Sequence, residues 1–446
     1  MKRKKGLFLM ILAFVLGSCN DISGQWKNMQ VAERSILTTS NNSVSPFNTY
    51  MNMYYFFFDD EKNVEESFQL ISQCFRDEVI QLHKQFDRHY SYYQDDDKKE
   101  NIITNIKTIN DSYGTNQPIK CSDELYELLK IGCQAFELTN GMFNIFTGGL
   151  SDFWEYILTD VSNFGTLVFE DLDPYKNEHQ KENLRQLVQV VPHTQDEVQQ
   201  LLSFNDLTKE VTFNKVDSLD EKENDYIEIL NGNQVVVKRI ELRPIISVGG
   251  IAKGLATDIV KEKLKDLGYE NGYLSSGGSS ITTLAKPIYS QKEKGHKISV
   301  INPLSIYQIE KEIAFSMKFA EEFSFSTSGN YTIGKSYSFA DDEGNPIYRH
   351  HIMNPYTGEP SNYFSSVSIA SHTFSNAMLD VFTTAFMNLN IQDGLLLRNK
   401  ILQHFPDDDL EIFYLVNDNG KMILHATSSM ENTLQTHTGV ECIYEE

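Results

Sequence analysis

Leu242-Arg243-Pro244-Ile245-Ile246-Ser247-Val248-Gly249-Gly250-Ile251-Ala252-Lys253-Gly254 is the stretch on which the fold turns. Leu242 to Val248 reads as a buried strand through Ile245, Ile246 and Val248. Gly249-Gly250 reads as a turn, and Ile251 to about Leu267 as a helix stopped by Gly268. Strand, glycine turn and helix make an α/β unit. The same unit brings main chain close to an anion, because the helix N-terminus offers unpaired N–H groups and partial positive charge, and Lys253 adds a full one. The glycines suit a plain tight turn equally well.

Downstream, Ser275-Ser276-Gly277-Gly278-Ser279-Ser280 follows a short strand around Tyr273 and Leu274 and is placed to line the same cleft. Farther on, with Asn376 as a candidate N-cap, Met378, Leu379, Phe382, Ala385, Phe386 and Leu389 recur at helical intervals. Asp380 and Thr384 then share one face, with Cβ atoms about 6 Å apart. Carboxylate and hydroxyl so placed reach one hard cation such as Mg²⁺, which takes oxygen ligands and keeps waters and phosphate oxygens. A Thr back-bonded to the helix and an Asp favoured by the helix dipole account for the same spacing. Between these blocks stand Thr327-Ser328-Gly329-Asn330-Tyr331 and the run His350-His351-Ile352-Met353-Asn354-Pro355-Tyr356-Thr357-Gly358-Glu359-Pro360. No second cluster of His or Cys supports a transition-metal site at the two histidines, so His351 is read as holding phosphate or the loop.

Ile251-Ala252-Lys253-Gly254 with Asp258, then Ser276-Gly277-Gly278, Thr327-Ser328-Gly329, His351-Ile352 through Pro355-x-Thr357-Gly358-x-Pro360, and Asp380-x-x-x-Thr384 occur in the order seen in ApbE-type flavin transferases. Phe86-Asp87, Ser91, Tyr93 and Asn110, and Gly141-Met142-Phe143-Asn144-Ile145 with Gly148, Leu150 and Trp154, resemble two earlier blocks of that family. The resemblance covers roughly Met51 to Leu389. It implies a mixed α/β, T-fold-like single unit of two lobes with the ligand cleft between them. The implied activity is Mg²⁺-dependent cleavage of FAD, with FMN joined through a phosphoester to a Thr or Ser of an acceptor protein and AMP released. It also implies site residues. Gly250 through its carbonyl, Asp380 and Thr384 are expected on the metal, and Lys253, Asp380 and His351 in catalysis. Tyr93, Met142, Phe143, Asn144, Ser247, Lys253, Gly277, Gly278, Thr327, Ser328, Gly329, His351 and Thr357 are expected on the flavin nucleotide.

The chain departs from the family pattern where carboxylates are usual: Ser247 stands before the Gly-Gly turn, Ser279 after Gly277-Gly278, Asn144 after Phe143, and Asn330 after Gly329. Asn keeps the shape of Asp but is neither a base nor an anionic acceptor. A divergent transferase is therefore expected. An FAD-binding lipoprotein without transfer, and an Mg²⁺-dependent FAD pyrophosphatase giving FMN and AMP, are the other readings.

Lys2-Arg3-Lys4-Lys5, the apolar run Leu7 to Leu16 and Leu16-Gly17-Ser18-Cys19 read as a secretory signal over 1–18 with a lipoprotein box. Cys19 is expected to carry the lipid, with a polar tether over 19–46 and the catalytic unit over 47–446 on the extracytoplasmic face of the membrane. A net charge of −23 argues against nucleic acid as a partner, because like charge repels the phosphates. Cys74, Cys121, Cys133 and Cys442 lack metal spacing and are expected as free thiols. Strands are expected at Tyr54 to Phe58, Val235 to Val248, Ile298 to Ile301 and Val367 to Ala370. The polar stretch from about 156 to 233 reads as surface elaboration, with a helix near Gln195 to Leu202 and a hairpin at Asn231-Gly232.

Overall fold

The computed structural model describes residues 30–36, 47, 49, 51–57, 63–95, 98–220, 224–270, 272–284, 296–319, 321–331, 335–437 and 439–446. Cys19 and the signal lie outside them, as does the tether apart from 30–36. Among the described residues no helix is long and apolar enough to cross a membrane, and Cys74, Cys121, Cys133 and Cys442 are free thiols.

Local patterning sets the helices. In α1 (Val64–Phe86) the buried Ile71, Phe75, Val79, Leu82 and Phe86 recur every three or four residues, with Glu65 and Glu66 in the first turn and Lys84 in the last, as the helix dipole favours. Then come α2 (Ile106–Asp111), α3 (Asp123–Leu138), α4 (Gly148–Phe164), α5 (Thr166–Leu172), α6 (Glu178–Gln189), α7 (Gln195–Leu201), α8 (Ala252–Asp266), α9 (Asn376–Met387) and α10 (Ile391–His404).

The largest sheet runs, in spatial order, Gln30–Ile36, Met51–Phe57, Gly272–Ser276, Ser280–Thr283, Ser324–Gly329, Ser366–Ser371, Glu411–Asp418, Lys421–Thr427 and Val440–Glu445. Neighbours pair antiparallel except the last two, which are parallel. Alternation along these strands feeds two cores. Val367, Ile369, Ile412 and Tyr414 join the core that holds α8 and α9, whereas Phe325, Ala370, Phe413 and Leu415 face a second apolar layer. The sheet is thus covered on both faces.

A separate core closes around α4, α5, α6 and the hairpin Tyr226–Leu230 with Val236–Glu241. Much of this core comes from the stretch 156–233. Leu172, Leu184, Leu187, Val190, Val191 and Ile227 bury themselves against Leu150, Phe153 and Trp154. The segment looks polar in composition because its helices are amphipathic and turn their charges outward. Buried polar ties help to join this lobe to the rest. Trp154 Nε1 donates to Gly358 O at 2.6 Å. Arg349, 2 % exposed, forks onto the fully buried Asp173 through Nε (3.0 Å) and Nη2 (3.2 Å), and its third nitrogen, Nη1, reaches Glu359 (2.9 Å).

The strand expected across Leu242 to Val248 is corrected: the sheet strand ends at Glu241 and the chain runs on extended and unpaired by any sheet. Pro244 lacks a ladder donor, and the remaining main-chain groups find other partners. Gly148 N–H donates to Ile245 O at 2.8 Å and Ser247 N–H to Ile145 O at 2.7 Å. The Asn110 amide pairs with both main-chain groups of Ile246, accepting from N at 2.8 Å and donating to O at 3.0 Å. Leu242, Ile246 and Val248 stay buried, so the apolar pattern is satisfied without a sheet.

Candidate active site

That extended segment delivers Gly249-Gly250 to the start of α8, whose N-cap, Ile251, has no capping side chain. The cap comes from α9. Asp380 Oδ2 accepts the Gly254 N–H at 2.8 Å, while Oδ1 accepts the Ser280 hydroxyl at 2.7 Å and the Ser326 hydroxyl at 2.5 Å. Asp380 is only 5 % exposed, so it lies beneath the cleft surface rather than on it. Burial pushes its carboxyl above the usual range, partly offset by the charge of Lys253 and by these three donors. A desolvated carboxylate of this kind favours a cation beside it.

Thr384, one turn on, faces Gly250: a Cβ built on Gly250 would stand 3.2 Å from Thr384 Oγ1 and 3.0 Å from the Phe143 ring. The space above Gly250 is therefore kept open by the absence of a side chain. Carboxylate, hydroxyl and main-chain carbonyl are all oxygen donors, so Asp380, Thr384 and Gly250 suit a hard cation such as Mg²⁺. A different trio, His89, Asp152 and Glu155, brings its ligand atoms within 4.8 Å of one another. Its carboxylates are already met by Arg88 (2.7 Å) and Lys335 (3.2 Å), which would repel a cation.

Gly254 explains why α8 can approach α9 so closely, since a Cβ there would stand 2.3 Å from Asn376 O. Gly254→Ala is expected to push the helices apart and lower stability by about 1–3 kcal/mol, read as a fall in the urea midpoint. An unchanged midpoint would contradict this packing.

The other expected contacts divide into two groups. Gly277 and Gly278 form the turn after Ser276 with φ of +64° and +70°, a conformation that favours glycine. The turn abuts the Thr327 strand, because Thr327 N–H donates to Ser279 O at 2.9 Å. Thr327 and Ser328 hydroxyls bond Ser368 (2.8 Å) and Thr383 (3.0 Å), and Gly329 ends the strand. His350, fully buried, donates from Nε2 to Ser361 O (2.9 Å) and accepts Ile352 N–H at Nδ1 (3.3 Å), so it holds the loop and is kept neutral. His351 remains solvent-exposed. Crowding by protein atoms, with the charges of Lys253 and Lys335 among its neighbours, holds it below the ordinary histidine range and hence neutral.

Outside this group, Tyr93 lies on the short hairpin Tyr93–Asp95 with Glu100–Ile102. Met142 packs half-buried on the core, and Thr357 is exposed on the Asn354–Gly358 turn, where its hydroxyl accepts Glu359 N–H at 3.2 Å. Ser247 is half-buried, and its hydroxyl has no partner among the described residues. The structure also corrects the N-cap of α9, which is Ser375, accepting Met378 N–H at 3.3 Å, with Asn376 already in the helix.

Three of the four neutral replacements donate hydrogen bonds that a carboxylate could not. Asn144 donates to Pro192 O (2.9 Å), Asn330 to Phe364 O (3.3 Å) and Ser279 to Ser276 O (3.0 Å). Asn144 also accepts Phe146 N–H at 2.9 Å, so its amide serves the turn and the Pro192 loop rather than a ligand. Asn144→Asp is expected to lower stability by about 1–3 kcal/mol, seen as a lower urea midpoint, because the buried donor to Pro192 is lost. A variant as stable as the parent would rule out this role.

Ser280 and Ser326, which touch Asp380, went unassigned in the sequence. Their signal was polar: hydroxyls alternate at Ser324, Ser326 and Ser328 and another opens the strand at Ser280, with Ser280, Ser324 and Ser326 buried.

A sequence model of the ApbE family matches residues 49–405. A sequence search of curated proteins finds no match. Among solved structures, the chain resembles the flavin transferase ApbE of Vibrio cholerae with a TM-score of 0.58 at 16% identity, covering 91% of this chain and 100% of that one. The apo flavinyl transferase ApbE of Pseudomonas stutzeri gives 0.57 at 16%, covering 91% and 97%. The ApbE protein of Thermotoga maritima gives 0.54 at 17%, covering 92% and 97%. At these identities the structures speak for the fold, while the family match spans most of the chain; the protein with Asp380 capping α8 beside Thr384 and Gly250 belongs to the ApbE family.

Proposed function

We propose that the protein is a Mg²⁺-dependent FAD:protein FMN transferase, lipid-anchored through Cys19 on the extracytoplasmic face of the membrane. The observation that carries the reading is the convergence of Asp380, Thr384, Gly250 and Lys253 at the N-terminus of α8. The likeness to the flavin transferases of Vibrio cholerae and Pseudomonas stutzeri supports it. In the reaction, a Thr or Ser hydroxyl of the acceptor forms a bond to the FMN phosphorus, the pyrophosphate P–O bond breaks, the hydroxyl proton is lost, and AMP leaves. Such transfers depend mainly on positioning and on neutralising charge around the phosphoryl group. Asp380, Thr384 and the Gly250 carbonyl would hold Mg²⁺, which supplies that neutralisation. Lys253 offers positive charge at a helix N-terminus suited to phosphate. His351 is neutral and so able to accept the hydroxyl proton, although the surroundings that keep it neutral also make it a weak base.

Incubation with FAD and Mg²⁺, with and without an acceptor peptide and with an EDTA control, tests the reading. Flavin covalently on the acceptor together with AMP is the expected result. Free FMN with AMP would identify a pyrophosphatase, and unchanged bound FAD a flavin-capturing lipoprotein.

A further inference from the structure

We infer that Asp258 is the positioning residue that sets the cation-binding face of α9, an inference that rests on the reading of Asp380 and Thr384 as metal ligands. The first N–H groups of a helix have no partner inside it. In α9 the Ser375 cap serves Met378 only, and the two preceding N–H groups go to Asp258 of α8. Oδ1 accepts Asn376 N–H at 3.0 Å and the Asn376 side-chain amide at 3.2 Å, and Oδ2 accepts Ala377 N–H at 2.8 Å. Asp380, at the next turn of α9, returns the arrangement by accepting Gly254 N–H of α8. The two helices thus cap each other's N-termini with exchanged carboxylates.

This exchange fixes more than contact. With Gly254 against Asn376 O, α8 and α9 meet main chain to main chain, and the two-oxygen grip of Asp258 on consecutive N–H groups resists rotation of α9 about its axis. The same rotation would carry Asp380 away from Gly254, Ser280 and Ser326, and Thr384 away from Gly250. Asp258 therefore acts on the cation through the helix, without touching it.

The test is direct binding of Mn²⁺, as a spectroscopic substitute for Mg²⁺, followed by electron paramagnetic resonance on the purified protein without FAD. Asp258→Asn presents an N–H₂ where one of the donors needs an acceptor. It is expected to weaken Mn²⁺ binding about ten- to a hundred-fold, as loss of groups that orient metal ligands commonly does. Ser375→Ala, which removes a cap from the same helix end, is expected to lower the melting temperature without changing Mn²⁺ affinity. Asp258→Glu keeps both oxygens, and partial recovery is expected there; it also carries the measurement should Asp258→Asn fail to fold. Folded Asp258→Asn protein with parental Mn²⁺ affinity overturns the positioning role alone, and so does Asp258→Glu protein that is folded but binds Mn²⁺ no better than Asp258→Asn. Equal loss of affinity in Ser375→Ala also overturns it, because Asp258 would then be one stabilising cap among others. A parent protein that binds no Mn²⁺ overturns both this inference and the metal reading beneath it.

Discussion

Asp380→Asn is expected to abolish Mg²⁺-dependent release of AMP from FAD, with a loss of roughly 10²- to 10³-fold or more. Removing a metal's anionic ligand forfeits several kcal/mol of charge stabilisation, and each 1.4 kcal/mol is about tenfold in rate. The change also reaches the fold. Asp380 is 5 % exposed and accepts from Gly254, Ser280 and Ser326, so its replacement perturbs the N-terminus of α8. The Asn side chain keeps one acceptor oxygen for these donors, which makes it a gentler probe than Ala. Steady-state AMP release at rising Mg²⁺, together with a melt of the same sample, separates the two effects. Full turnover at ordinary Mg²⁺ by a folded variant would remove Asp380 from the site.

Asp173→Ala carries the largest expected loss of stability, about 3–5 kcal/mol, because it strands a buried guanidinium. Arg349 is 2 % exposed, is held by two nitrogens on Asp173, and lies over the rings of Trp154 (5.1 Å) and Phe339 (5.5 Å). Tyr337 donates its hydroxyl to the same carboxylate, and burial beside that charge raises the Tyr337 pKa. This cluster joins the lobe built on α4 to α6 with the strand Pro346–Arg349 that leads into His350 and His351. Urea denaturation should show a markedly lower midpoint for Asp173→Ala. The double replacement Asp173→Leu with Arg349→Met should come closer to the parent, since it removes both buried charges and leaves only the Tyr337 hydroxyl, the Tyr175 N–H and Glu359 without these partners. Equal losses in the single and double variants would mean that packing, not the stranded charge, governs the site.

What the sequence determined by itself was the set of features encoded between near neighbours. The stripe of α1, the reach of α8 to Gly268 and the placement of Asp380 and Thr384 on one face of α9 follow from the 3.6-residue period. The order of short motifs was likewise enough to indicate the family. Tertiary structure alone decided the features that depend on residues far apart in the chain. Leu242 to Val248 has the composition of a strand, yet its hydrogen bonds go to Asn110 and to the 145–148 chain, so no ladder forms. Asn144 looked like a ligand-facing stand-in for Asp until its amide was found on Pro192, in a segment whose own apolar core was diluted by outward charges. Asp258 and Asp380 are each unremarkable in their own helices. Their roles exist only where α8 and α9 cross at Gly254, because first-turn N–H groups that no local cap reaches donate to whichever carboxylate the fold brings to them.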